Sequence, residues 1–207
     1  MSNLLLSTAY LPPVEYVSAI ATRGNFSCQI EACETYLKQT YRTRAHIASP
    51  NGLQVLTIPI KKEVANNCPI TQIHIDNSEQ WQRRHWRALE TAYNASPYFL
   101  YFKDYLQPFY EQRFDSLIDF NTSLLRTICR LLKWKVTINY TTDFLPPTEA
   151  NPDFDFRYSI TPKAALKKDY IHYMPPTYQQ VFETKYGRLP NLSVVDALFN
   201  AATLKGE

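Results

Sequence analysis

Three consecutive leucines, Leu4, Leu5 and Leu6, give way at once to Ser7-Thr8. So short an all-apolar run is the pattern of a buried strand, and Pro12-Pro13 behind it forces an extended turn. Val14 to Ala21 then suits a helix with proline in its first turn, and Asn25 to Ile30 alternates apolar with polar positions, predicting a second strand. Strand, loop, helix and strand within about 30 residues match a βαβ unit. Such a unit sets Ser7 to Pro13 at the carboxyl end of the sheet, where ligands of open α/β sheets bind.

Further along, Ala45 to Ala48 and Val55 to Ile60 flank Pro50-Asn51-Gly52, and Asn-Gly between two β-rich runs predicts a hairpin. Ile70 to Ile75 alternates well enough to predict another strand. From there the period lengthens. Trp81, His85, Trp86, Leu89 and Tyr93 recur at helical spacing behind Asn77 or Ser78 as cap, ending near Ser96-Pro97. Tyr98 to Tyr105 and Pro108 to Leu117 continue in helical or turn-rich form, and Phe120, Leu124, Leu125, Ile128, Leu131 and Leu132 mark a helix over Asp119 to Leu132. Trp134 to Tyr140 alternates again, a strand returning to the sheet. Leu145 to Pro162 carries four prolines and few periodic residues, which predicts a long loop. At the far end Gly187 permits a left-handed turn, Pro190 fixes φ, and Asn191 or Ser193 caps a helix whose buried face is Val194, Val195, Leu198 and Phe199. The expected fold class is therefore α/β: a sheet with an N-terminal βαβ-like unit, a β-hairpin and a central helical lobe at about residues 78–133, in a single domain over residues 1–207.

Composition narrows the function classes more than it selects one. Fifteen Tyr and 14 Pro stand against only 4 Gly. Tyrosine brings flat contact area and a hydroxyl, which suits an interface, a pocket for an amphipathic ligand such as a sugar or nucleotide, or a Tyr-rich core. A net charge of +3 is too mild to point to nucleic acid. Cys28, Cys33, Cys68 and Cys129 lack redox or zinc-knuckle spacing, so reduced thiols are expected. Met1 to Leu6 lacks the positive start and cleavage pattern of a secretory signal, and no apolar run approaches the roughly 20 residues of a membrane span. A cytoplasmic protein is the expectation.

Four glycines leave no room for a phosphate-cradling GxGxxG or Walker loop, and there is no HExxH, GxSxG or CxxC. No metal site is expected, since His46, His74, His85 and His172 are scattered. Three polar constellations remain. In Tyr41-Arg42-Thr43-Arg44, alternation would place Arg42 and Arg44 on one face, suited to a phosphate or carboxylate, with Tyr41 beside them; a charged hairpin edge is the bland alternative. On the first long helix His85 as general base and Glu90 as a carboxylate partner are the catalytic candidates, with Tyr93 as a substrate contact; a satisfied histidine between helices is the alternative. In the rim loop Ser7, Thr8 and Tyr10 are substrate-binding candidates, although hydroxyls there also form turns and Ser7 has no visible base. Asp143, Asp153 and Asp155 read better as a solvated loop than as a cation clamp.

Taken in order, several segments resemble the WbqC-like family: Tyr10-Leu11-Pro12, Tyr41-Arg42-Thr43-Arg44, Pro59-Ile60-Lys61, Trp81-Gln82-Arg83-Arg84-His85, Tyr93-Asn94-Ala95-Ser96-Pro97-Tyr98-Phe99, Tyr110, and Leu189-Pro190-Asn191-Leu192-Ser193 running on to Asn200. The resemblance implies a bacterial protein of surface-polysaccharide, O-antigen-like biosynthesis. It further implies a transferase adding an aminoacyl or related group to an activated sugar, with a non-catalytic binding or scaffold protein of that pathway as the alternative. The implied partner is a phosphorylated or nucleotide-linked sugar. No cofactor and no oligomeric state follow from it. Two departures stand out. Leu6-Ser7-Thr8-Ala9 occupies the place of a His-Gln-Pro-Asn run common in the family, and Leu145 to Asp169 contains no glycine where many members are Gly-rich.

Overall fold

A computed structural model describes residues 4–61, 68–165 and 178–201. The chain opens with strand β1 (Leu4–Leu6), helix α1 (Val14–Thr22) and strand β2 (Ser27–Ile30), followed by the hairpin strands β3 (Arg44–Ser49) and β4 (Gly52–Thr57). A helical stretch follows: α2 (Trp81–Tyr93), α3 (Phe99–Leu106), α4 (Pro108–Glu111) and α5 (Leu117–Leu131). Strand β5 (Thr137–Tyr140) and three helices, α6 (Pro162–Ala165), α7 (Glu183–Tyr186) and α8 (Val194–Ala201), complete it. The protein is α/β.

β1 pairs in parallel with β2, with Leu4 opposite Cys28 and Leu6 opposite Ile30, and β2 pairs in parallel with β5, giving the order β1-β2-β5. All three carboxyl ends thus face the same edge, and the expected βαβ unit is present. The hairpin forms a separate two-stranded sheet turned by Pro50-Asn51, with Ser49 opposite Gly52. Gly52 takes φ of 99°, a left-handed value that glycine tolerates without strain.

Ile70 to Ile75 does not form the expected strand. Ile70–Gln72 is a single 3₁₀ turn, and only isolated bridges, Ile60 with Ile75 and His74 with Ser116, keep a strand-like contact. Its alternating isoleucines fill the core from an irregular backbone: Ile70, Ile73 and Ile75 are all buried.

α2 begins at Trp81 without a side-chain cap. Asn77 instead accepts a hydrogen bond from the Trp81 indole and donates to the Phe114 carbonyl. α5 is capped by Ser116, whose hydroxyl accepts from the Asp119 amide at 3.3 Å, and it buries the stripe Phe120, Leu124, Leu125 and Ile128 as expected. Burial of side chains of this size contributes about 1.5–3 kcal/mol each. Trp81, Phe120, Phe114 and Phe109 meet edge-on or stacked around that stripe.

The chain's end is docked through Ala201. Val14 donates to the Leu192 carbonyl, Val194 to that of Pro12, and Ser193 to that of His46, so one short segment ties the rim loop, α1 and the hairpin together. Gly187 takes φ of 69° as the turn requires. Ser193 caps α8 weakly, while Asn191 is used elsewhere, donating to Glu15 Oε2 at 2.9 Å.

The proline-rich stretch is a loop, but its middle is built into the sheet edge. The Leu5 amide donates to the Phe154 carbonyl and the Phe156 amide to the Leu5 carbonyl, so residues 154–156 lie parallel beside β1. Among the described residues no helix is long and apolar enough to cross a membrane.

Candidate functional site

At the carboxyl end of β1 the chain leaves the sheet through Ser7, Thr8 and Ala9, then turns at Leu11 with φ of 37°, a left-handed value rare for leucine. The Tyr10 amide donates to the Tyr41 carbonyl, fastening this loop to the turn that precedes β3. Phe156 and Arg157 arrive from the far side on the loop paired with β1. Between them lies a cleft of about 240 Å3 including its open mouth. The space within it open to water amounts to about one molecule. Of the residues singled out from sequence, Ser7, Thr8, Tyr41 and Arg42 line it together.

Two ion-pair systems support the walls. The Arg42 guanidinium, 3% exposed, grips Glu34, 1% exposed, with Nε to Oε1 at 2.8 Å and Nη2 to Oε2 at 2.5 Å. Arg42 Nη2 also donates to Ser7 Oγ at 2.6 Å, and Ser7 in turn donates to Glu34 Oε2 at 3.0 Å or to the Arg157 carbonyl at 3.1 Å. Burial raises the Glu34 pKa above its ordinary value of 4.5, against the opposing pull of Arg42 and Ser7. Arg157, fully buried, donates through Nε and Nη2 to Asp155 and through Nη1 to Glu31 at 2.8 Å and to the Leu145 carbonyl. Glu31 stands at the end of β2 and accepts from Thr141 Oγ1, at the end of β5, at 2.6 Å. The parallel strands therefore bring a connected polar network to one edge.

Thr8 Oγ1 is buried without a hydrogen-bond partner. Tyr16 closes the floor by donating its hydroxyl to the Ser7 carbonyl at 2.8 Å, which holds the strand end in place.

The remaining sequence candidates lie elsewhere. Arg42 and Arg44 do not share a face, because residues 41–43 form a turn and only Arg44 belongs to β3, opposite Thr57. Arg42 is buried in the cleft wall; Arg44 is half-buried on the hairpin. His85 lies on the core stripe of α2, where Tyr10 Oη meets its Nδ1 at 2.9 Å and Tyr110 Oη meets Tyr10 Oη at 3.1 Å. Burial pushes the His85 pKa down to about 4, so the ring is neutral and held by Tyr10 and the Thr57 backbone. Glu90 points to solvent from the opposite face of the helix and does not join His85 at a cleft. Tyr93 is fully buried. Its hydroxyl accepts from the Ala48 amide at 3.2 Å and faces Asp196, whose pKa burial pushes up to about 6. His172 lies outside the described residues. Asp155, read from sequence as a solvated loop residue, is paired with Arg157.

Glu34, Glu31 and Arg157 were not singled out by the sequence reading. Two faint signals mark them: Glu31 directly follows a strand at its ligand-facing end with Glu34 three residues on, and Arg157 sits between aromatic neighbours Phe156 and Tyr158 in a proline-rich loop.

These features define an α/β protein with a cleft at the carboxyl edge of its parallel strands, its walls held by buried ion pairs. The chain belongs to the WbqC-like protein family, whose sequence profile matches residues 8–164, a span that takes in every cleft residue named above except Ser7. It is also similar to a Mycobacterium tuberculosis protein described as "Uncharacterized protein Rv1507c", with 32% identity over 129 residues, 62% of this chain and 54% of that protein. The chain thus spans about half the length of that relative. No solved structure matches it.

Proposed function

We propose that the protein serves surface-polysaccharide assembly of the O-antigen type, in the cytoplasm, and that an activated, phosphorylated or nucleotide-linked sugar is its ligand. The cleft at the end of β1 is the site, and transfer of an aminoacyl or related group to the sugar is the reaction. The observation that carries the reading is the convergence of Ser7, Thr8, Tyr41 and Arg42 on one cleft at the carboxyl edge of a parallel sheet. Family membership supports it.

A second reading, a non-catalytic binding or scaffold protein of the same pathway, is favoured by His85. A histidine tied into the core by Tyr10 has no route to a substrate, and Glu90 is remote from it. Isothermal calorimetry and thermal shift with a panel of nucleotide-sugars test the common part of both readings. Saturable binding at or below millimolar concentration is expected. Absence of binding across the panel would remove the activated sugar as ligand, and product formation without added enzyme partners would separate the transferase from the scaffold.

A further inference from the structure

The edge of a β-sheet carries unpaired backbone groups that invite another strand, and the two sheets close theirs at β1, β3 and β5. Residues 154–156 lie beside β1, bonded to both backbone groups of Leu5. On the outer side of β3 the Ser193 amide donates to the His46 carbonyl and the Tyr93 hydroxyl accepts from the Ala48 amide. At β5 the Arg126 guanidinium donates to the Ile138 carbonyl at 3.2 Å. β4 is different. The Ile58 amide donates to the Thr43 carbonyl, which fixes the alternation of the hairpin ladder: Gly52, Gln54 and Leu56 bond to β3, while Leu53, Val55 and Thr57 turn their N–H and C=O groups outward. The Thr57 carbonyl is engaged by His85, and beyond it residues 59–61 pair with residues 74–76. Among the described residues nothing bonds the outward backbone groups of Leu53 and Val55.

What stands open is short, apolar and matched to itself. β4 carries neither charge nor proline, the devices that commonly keep an edge from pairing, and Leu53 and Val55 share one face at 39% and 46% exposure. An antiparallel neighbour has to present two residues, two positions apart, whose N–H and C=O groups face this edge. Leu53 and Val55 of another molecule do so. We infer that β4 pairs with β4 of a second copy of this chain, antiparallel about a two-fold axis at Gln54, so that Leu53 of each copy faces Val55 of the other. Each of these two pairs exchanges two backbone hydrogen bonds, and the hairpins join into one sheet in the order β3-β4-β4-β3. Leucine against valine adds the same apolar cross-strand contact twice. A foreign strand would meet the same backbone groups; the second copy also supplies the uncharged, apolar side chains that this edge leaves exposed. The paired surface is small, so the association is a reversible one rather than that of an obligate dimer.

Sedimentation velocity of the full chain up to millimolar concentration, with amide hydrogen exchange at the same concentrations, tests the pairing. Wild type is expected to pass from monomer to dimer, and the Leu53 and Val55 amides to gain protection as it does so. Two double variants fix the register. In Leu53→Lys with Val55→Lys the introduced lysines of the two copies face one another. In Leu53→Lys with Val55→Glu each introduced lysine faces an introduced glutamate of the second copy. The lysine–glutamate variant should dimerise about tenfold or more tightly than the lysine–lysine variant, since opposite charges directly across a strand pair attract and like charges repel. All four positions changed are exposed side chains, so both variants should melt near wild type; were either to unfold, the concentration dependence of exchange in wild type would still decide. A chain that stays monomeric at millimolar concentration would overturn the inference. So would a dimer whose Leu53 and Val55 amides exchange as fast as in the monomer, or equal dimerisation by the two variants. Capture of an unrelated extended peptide along β4 by a chain that does not self-associate would replace the second copy with a foreign strand.

Discussion

Replacing Arg42 by alanine separates a structural arginine from a ligand-binding one. Both partners of the Arg42–Glu34 pair are almost wholly buried, and Arg42 also supplies the hydrogen bond that fixes Ser7 and the carbonyl that accepts from Asn121 Nδ2 at 2.8 Å. Removing one member of such a pair leaves the other charge uncompensated, at a cost of about 3–5 kcal/mol. The backbone carbonyl survives the substitution, so the loss falls on Glu34 and Ser7. Glu34 is already held above its ordinary pKa by burial, and Arg42 is the principal influence lowering it. Without the guanidinium the carboxyl is raised further. A carboxyl whose folded pKa exceeds its unfolded value contributes stability below the unfolded value and loses it as pH rises through the folded one. The penalty of Arg42→Ala should therefore be smallest near pH 4 and grow toward pH 8. Urea unfolding followed by tryptophan fluorescence measures it, and Glu34→Gln combined with Arg42→Ala should recover part of the loss, because no charge is then stranded. A loss below about 1 kcal/mol at pH 8 would refute the reasoning, since that is the range of an exposed pair.

Asp196 and His85 should tilt the pH–stability curve in opposite directions. Asp196 is raised from 3.8 to about 6, so its contribution is lost as pH climbs through that interval, worth about 3 kcal/mol; Asp196→Asn should raise the melting temperature at pH 8 and leave it little changed near pH 3.5. His85 is lowered from 6.5 to about 4, so its neutral, buried ring contributes above pH 6.5 and the contribution fades as pH falls; nitrogen NMR should find the ring uncharged at pH 5, and a titration near 6.5 would contradict its place in the core. Gly187→Ala meets no atom within 4 Å, so its cost is the backbone alone at φ of 69° and ψ of −176°, a region essentially reserved for glycine, about 1–3 kcal/mol by chemical denaturation; a neutral result would show that the turn relaxes.

Elements governed by local pattern were legible in the sequence. Leu4 to Leu6, the alternation ending at Ile30, the hairpin signalled by Pro50-Asn51-Gly52 and the Phe120 to Ile128 stripe each carry a period or a turn residue that acts within a few positions, and each formed as expected. Ile70 to Ile75 misled because alternation reports which side chains are buried, and a 3₁₀ turn can bury the same isoleucines without a neighbouring strand. The same rule failed at Arg42 and Arg44, where a turn interrupts the alternation. Half of the cleft was legible. Ser7 and Thr8 followed from the βαβ geometry, but their partners come from far along the chain: Arg157 reaches Glu31 across 126 positions. Charged residues are ordinarily solvated, so nothing local to Glu31, Glu34 or Arg157 announces a buried pair. Glu34 also supplies what the sequence reading lacked at Ser7, a carboxylate in hydrogen-bond reach of its hydroxyl.

The central claim is that the carboxyl end of β1 is where this protein meets its ligand. Crystals grown with a nucleotide-sugar at millimolar concentration test it most directly. Difference density is expected to enter between Thr8 and Phe156, with the Arg42–Glu34 pair left intact in the cleft wall. Density at another face of the molecule, with the cleft holding solvent alone, would contradict it.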